Sequence, residues 1–207
     1  MPDLASVADL EARLGRALTP EESARVTALL ADASALIRDY TRQELTAASG
    51  DTIVLRPVGV TLRLPQRPVT AVTSVSAVGP DGQTLGALTG WVWDARDKID
   101  LSCATPSGSW PASWRGHRPD TYRVVYDHGY ATVPPGVVAA CCTMVLRTLL
   151  SPSMTPGMVA ERIGAYNYQL QQGMGAVGAT VVMTAADERA LARWGPRRYG
   201  TIQVEAG

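Results

Sequence analysis

The spacing of apolar residues changes repeatedly along the chain. The first 42 residues carry helical spacing. Ser6-Val7-Ala8-Asp9 matches a capping box with Asp in the usual Glu position; Val7, Leu10 and Leu14 then share one face until Gly15. Thr19 reads as a second N-cap, with Pro20 at the first helical position and Glu22 three residues after the cap. Val26, Leu29, Leu30, Ala33, Leu36, Ile37 and Tyr40 follow at spacings of three and four, which predicts an amphipathic helix to about Arg42.

From Asp51 to Tyr126 the period drops to two. Ile53-Val54-Leu55 comes first. Val60, Leu62 and Leu64 alternate with Thr61 and Arg63, and Val69, Ala71, Thr73, Val75 and Ala77 alternate again. Pro80-Asp81-Gly82 is a turn signal between strands. Trp91-Val92-Trp93, Ile99-Asp100-Leu101 and Tyr122 to Tyr126 complete the set, followed by a turn at Asp127-His128-Gly129. Short runs between turn residues predict an antiparallel sheet or small barrel. Ser102 to Asp120 reads as a long loop holding Trp110 and Trp114.

Helical spacing returns at Pro134-Pro135 and lasts to Leu150. Arg147 is the only charge in that helix, so it is predicted to be central and buried by neighbours or by another subunit. Prolines and glycines then break any period from Ser151 to Met183, and charges stop after Arg162; this reads as an extended arm. Thr184-Ala185-Ala186-Asp187 restarts a capped short helix carrying Leu191 and Trp194, closed by Gly195-Pro196. Tyr199 to Val204 is expected to form a terminal strand. The predicted fold is α+β: a small helical bundle with an inserted antiparallel sheet or small barrel, plus an extended C-terminal arm. The expected boundaries are 1–50 for the first helices, 51–126 for the β-rich insertion, 127–150 for the central helix, and 151–207 for arm, short helix and terminal strand.

Composition narrows the function. Basic and acidic residues number 19 each, so the basic excess of a tight, sequence-independent DNA binder is lacking. Five Trp and seven Tyr stand beside no Phe; these side chains suit interfaces, though most serve as core. The three cysteines, Cys103, Cys141 and Cys142, show no framework spacing and point to a reducing compartment. The start of the chain lacks a secretory pattern, and no apolar run reaches the ~18 residues of a membrane span. The expectation is a soluble, intracellular protein with no membrane partner.

Candidate chemistry is sparse. With only His117 and His128, and no CxxC, HxxxH or HExxH spacing, no metal-ligand set stands out. His128 reads as a turn residue bonded to backbone rather than a metal ligand. No G-x-S-x-G elbow occurs, and Cys141 and Cys142 lie inside an apolar helix, where a thiol loses reactivity. Gly173-Met174-Gly175-Ala176-Val177-Gly178 matches G-x-G-x-x-G but lacks the strand and βαβ setting of a nucleotide site. Arg115-Gly116-His117-Arg118 and Arg197-Arg198 are short basic clusters that read as solvated loop and helix-end charges before DNA contacts. No catalytic residue, cofactor or metal is expected.

The order of parts carries a resemblance. A short helix, a capped amphipathic helix, a β-rich middle, V-Y-x-H-G-Y-x-x-V-P (Val125 to Pro134), a buried helix, E-R-I-G-x-Y-x-Y (Glu161 to Tyr168) and a T-x-x-D helix with a basic terminal strand (Thr184 to Val204) follow one another. This resembles the head-to-tail connector proteins (adaptor, or head completion, proteins) of tailed bacteriophages, over nearly the whole chain. The resemblance implies a structural virion protein, made in the host cytoplasm and placed in the neck between capsid portal and tail. It implies a homo-oligomeric ring, typically of twelve copies, that binds the portal protein, docks a stopper or other tail-side neck protein, and lets DNA through its lumen without sequence-specific binding. The arm and terminal segment would reach the portal or neighbouring subunits, marking Glu161, Ile163, Tyr166, Tyr168, Trp194, Arg197, Arg198 and Tyr199 as contact candidates. No DNA-facing residue is assigned. The alternatives are another neck protein (stopper or tail terminator) and, in a different class, a small-ligand-binding or enzymatic α+β domain.

Overall fold

The computed structural model describes residues 2–79, 81–107, 120–150, 160–163, 166–169 and 180–196, with 160–163 and 166–169 described as backbone. Contacts divide the chain into two units, Gln43–Thr132 and the residues on either side of it. Each unit is built by one of the two periods read in the sequence.

The flanking unit is helical. Helix α1 (Val7–Leu14) starts at the Ser6–Asp9 capping box, and α2 (Pro20–Thr41) at the Thr19–Glu22 box. Both boxes satisfy main-chain donors that a helix start otherwise leaves unpaired, worth about 1 kcal/mol each. Arg42 ends α2 in the left-handed conformation, its N–H donating to Arg38 O. Helix α3 (Pro135–Leu150) is packed by α1, by α2 and by α4 (Ala185–Leu191). Val137, Cys141, Cys142, Met144 and Val145 of α3 are buried, as are Leu10 of α1 and Val26, Leu30, Ala33 and Ile37 of α2. One buried hydroxyl fastens the start of the chain: Ser34 Oγ accepts from the Leu4 N–H at 2.9 Å and donates to Leu30 O at 2.7 Å.

The second unit is β. Its strands are β1 (Ala48–Leu55), β2 (Thr61–Arg63), β3 (Val69–Val78), β4 (Thr84–Thr89), β5 (Val92–Trp93), β6 (Lys98–Asp100), β7 (Thr105–Pro106) and β8 (Thr121–His128). A five-stranded sheet runs β1-β8-β3-β4-β7 and a three-stranded sheet β2-β6-β5, every strand pair antiparallel. Strand β8 alternates strictly, with Tyr122, Val124, Tyr126 and His128 buried. The first three join Val69 and Val75 of β3 and Leu62 and Ile99 of the smaller sheet in one apolar cluster. Strands β4 and β7 were not expected from the sequence. Thr84-Leu85-Gly86-Ala87-Leu88-Thr89 has a glycine at its centre and weak alternation, and only its pairing with β3 makes it a strand.

Two expectations change. His128 is not a turn residue: it is the last residue of β8, 3% exposed, with Nε2 3.1 Å from Asp51 Oδ2. The strand continues because the turn is set one residue later. Gly129 has φ 88°, and its Cα lies so close to Thr46 that a Cβ would stand 2.1 Å from Thr46 O. The arm from Ser151 to Met183 is not uniformly extended. Ala160–Ile163 (β9) and Tyr166–Gln169 (β10) pair as an antiparallel hairpin, and Val181 is buried. The expected terminal strand, Trp110, Trp114, both basic clusters (with His117) and the G-x-G-x-x-G segment lie outside the described residues.

Gly129→Ala should lower stability by at least about 2 kcal/mol, from backbone strain and the clash with a main-chain oxygen that cannot swing away. Thermal unfolding would show a fall of at least about 4 °C for a chain of this size; an unchanged midpoint would contradict the close approach. A second expectation concerns acid. The Arg16 guanidinium, bonded to both Glu22 oxygens at 2.7 Å, and then the Thr19 N–H hold the Glu22 carboxyl down at about 2. Its folded value is depressed, so its contribution is fully present above the ordinary carboxylate range and is lost as pH falls toward 2. Glu22→Gln should therefore flatten the decline in unfolding midpoint between pH 5 and about pH 2 relative to wild type.

Candidate functional site

The described residues on either side of the 151–179 segment lie close together. Thr148 Oγ1, one turn before the end of α3, lies 3.5 Å from Thr180 O. Arg147 Nη1 donates to Val182 O at 3.1 Å, and its Nη2 reaches both Asp187 carboxylate oxygens at 3.1 and 3.0 Å. Asp187 also closes the α4 capping box, accepting from the Thr184 N–H at 2.8 Å. One nearly buried carboxylate thus caps α4 and clamps it to α3. The sequence shows the T-x-x-D cap; pairing of its Asp with Arg147, forty residues away, carries no local signal.

The hairpin on this excursion orders four of the candidate contact residues. Its register pairs Ile163 with Tyr166 and Glu161 with Tyr168. Alternate residues and cross-strand partners occupy the same face of a ribbon, so Glu161, Ile163, Tyr166 and Tyr168 hold the positions of one face. Ala160, Arg162, Asn167 and Gln169 hold the other. An isolated two-stranded hairpin is marginal in water, so a ribbon of this kind is normally completed by packing.

Trp194 belongs to the body of this chain. It is 8% exposed, its ring lies against Gly136 at the start of α3, and the Arg193 guanidinium stacks 3.8 Å above it. Arg197, Arg198 and Tyr199 lie outside the described residues. The structure therefore pairs the four hairpin positions in register and buries Trp194 beside Gly136.

The groups with chemical potential sit elsewhere. Asp51 and Tyr126 are directly paired across β1 and β8, and the Tyr126 and His128 ring centroids are 5.1 Å apart. Burial first, and the Asp51 charge second, push the Tyr126 phenol above its ordinary range. No nucleophilic side chain joins this trio among the bonded partners described. Burial pushes the Cys141 thiol up to about 12 and also raises Cys142, so both stay protonated and unreactive at neutral pH. Among the described residues no group of three or more His, Cys, Asp or Glu side chains is placed to hold a metal ion. No helix of the described residues is long and apolar enough to cross a membrane.

Asp187→Ala should cost about 2 kcal/mol, because it removes the carboxylate half of the α4 capping box and one partner of a largely buried charge pair, leaving Arg147 its bond to Val182 O. Thermal unfolding and limited proteolysis test this: the midpoint should fall, and cleavage after Arg189 and Arg193 should accelerate before global unfolding. Equal proteolysis of variant and wild type would show that the clamp does not hold α4.

No protein-family model and no curated protein matches the chain. A solved structure of the neck of an empty GTA (gene transfer agent) particle, computed with C6 symmetry, contains a similar chain, with a TM-score of 0.51 and 18% identity over 94% of this chain and 91% of that chain. At that identity the likeness is one of fold, and it extends over both units.

Proposed function

We propose that this protein is a structural component of the neck of a phage-like particle, and more narrowly a head-to-tail adaptor. The observation that carries the reading is the agreement of two independent likenesses. The order of sequence motifs resembles the phage connector proteins, and the fold is shared over almost the full chain with a protein of a GTA neck. In this role copies form a ring beneath the portal, extend the DNA channel and dock the next neck protein on the tail side. The place of action is the virion.

Several features fit. A cyclic ring needs two different, complementary faces on each subunit. The helical unit supplies a body, and the 151–179 segment, which carries the β9–β10 hairpin, is flanked by the Arg147–Asp187 clamp. A net charge of zero suits a conduit, because strong phosphate binding would retard passing DNA. Both a six-fold and a twelve-fold ring obey the C6 symmetry imposed on the neck that holds the similar chain. A stopper or tail terminator is the second reading within the neck; the two leading helices favour the adaptor. A ligand-binding or catalytic domain would need convergent polar groups, and among the described residues no Ser, Thr or Cys side chain is bonded to the Asp51–His128–Tyr126 trio.

Electron microscopy of the protein mixed with portal rings tests the assignment. A co-axial ring on the outer end of the portal is expected. A monomer that ignores the portal would overturn it. Replacing residues 151–179 by a short Gly-Ser linker should weaken ring or portal attachment by at least about tenfold while the unfolding midpoint stays within a few degrees. Attachment at full strength would remove the excursion from the interface.

A further inference from the structure

Strand β1 is an edge of the five-stranded sheet, and its two halves are built differently. Asp51 faces inward, paired with Tyr126 and bonded to His128, and the register with β8 shifts between Ala48 and Asp51. The Gly50 N–H is taken by Asp127 Oδ1 and the Thr52 N–H by Asp51 Oδ1. Bulges and inward-pointing charges are devices by which proteins close sheet edges to other chains. The remainder, Ile53–Leu55, has no such device: it contains no Lys, no Pro and no bulge, and Arg56-Pro57 follows only at its end. Val54 is 50% exposed, and among the described residues no strand pairs with this edge. The opposite edge, β7, has two residues, the second a proline. Among the described residues the sheet thus has one regular edge without a partner strand.

We infer that this edge accepts the C-terminal segment Thr201–Val204 of a second copy as an added strand. Ile53 and Leu55 pack against the sheet's apolar cluster yet are only partly buried, since nothing in the sheet lies beyond them. Thr201-Ile202-Gln203-Val204 has the same alternation as Thr52-Ile53-Val54-Leu55, so Ile202 and Val204 extend the inner apolar face while Thr201 and Gln203 face solvent. The charge order also fits. The edge has Asp51 and Asp127 at its start and Arg56 at its end; the segment has Arg197-Arg198 before it and Glu205 after it. A parallel alignment brings opposite charges together at both ends. The eleven residues after Pro196 reach up to about 36 Å from the helical unit. A donor segment and an acceptor edge are two different surfaces, as a head-to-tail contact in a ring requires. This inference rests on the ring reading for its choice of a second copy.

The test uses full-length chains and a fluorescent peptide of residues 197–207. The chain carrying Ile202→Pro keeps its edge and loses its own donor strand, since proline cannot complete the main-chain ladder. It should bind the wild-type peptide saturably and the Ile202→Pro peptide at least tenfold more weakly. Val54→Pro on the chain should abolish peptide binding; if that variant does not fold, the peptide pair still decides. Ile202→Pro and Val54→Pro chains, mixed, should form a complex larger than either alone by light scattering. No saturable binding, or equal binding of both peptides, overturns the inference. A wild-type chain that is monomeric and excludes the peptide also overturns it, because the segment then closes on its own edge. Rings that form on portals equally well with Ile202→Pro would sink strand addition and leave the neck role standing. Peptide binding without portal rings would do the reverse.

Discussion

Helix α3 has one charged side chain in sixteen residues, and an apolar surface of that extent has to be covered on every side. The cover is supplied by α1 and α2 from the start of the chain and by α4 from near its end, which fixes how distant parts of the sequence meet. Burying a leucine- or methionine-sized side chain contributes about 2 kcal/mol, so the α3 contacts together outweigh any single polar bond in the helical unit. The polar bonds decide geometry instead. Ser34 holds Leu4 against the bundle, and Arg147 holds α4.

That requirement also explains the form of the rest. In the sequence the β unit is inserted between α2 and α3, and residues 151–179 lie between α3 and α4. Segments between the helices of a bundle are where a chain varies most readily while the body keeps its shape. The Arg147–Asp187 pair sits at the root of one insertion, and Gly129, pressed against Thr46 O, sits near the end of the other.

Chemistry is placed away from these insertions' open surfaces. The two cysteines of α3 are locked as neutral thiols by burial, and His128 is turned inward against Asp51. Among the described residues, what stands out instead is structural: a sheet edge with no partner strand and a two-stranded hairpin.

The sequence alone determined the helices, because each start is written locally: Ser6–Asp9, Thr19–Glu22 and Thr184–Asp187 are capping boxes in sequence and in structure. It also marked Tyr122 to Tyr126 as a strand, and gave the inertness of Cys141 and Cys142 through their apolar surroundings. It marked Glu161, Ile163, Tyr166 and Tyr168, but as a string. Their placement on one face needed the hairpin register, which a Gly164-Ala165 connection does not announce. Strand β4 was illegible because its six residues, with a glycine inside and weak alternation, become a strand only on pairing with β3 and β7. The partners of His128 and Arg147 were illegible for the same reason. Asp51 is 77 positions from His128 and Asp187 is 40 from Arg147, and contacts at that separation are set by the packing of whole elements, not by the residues flanking them.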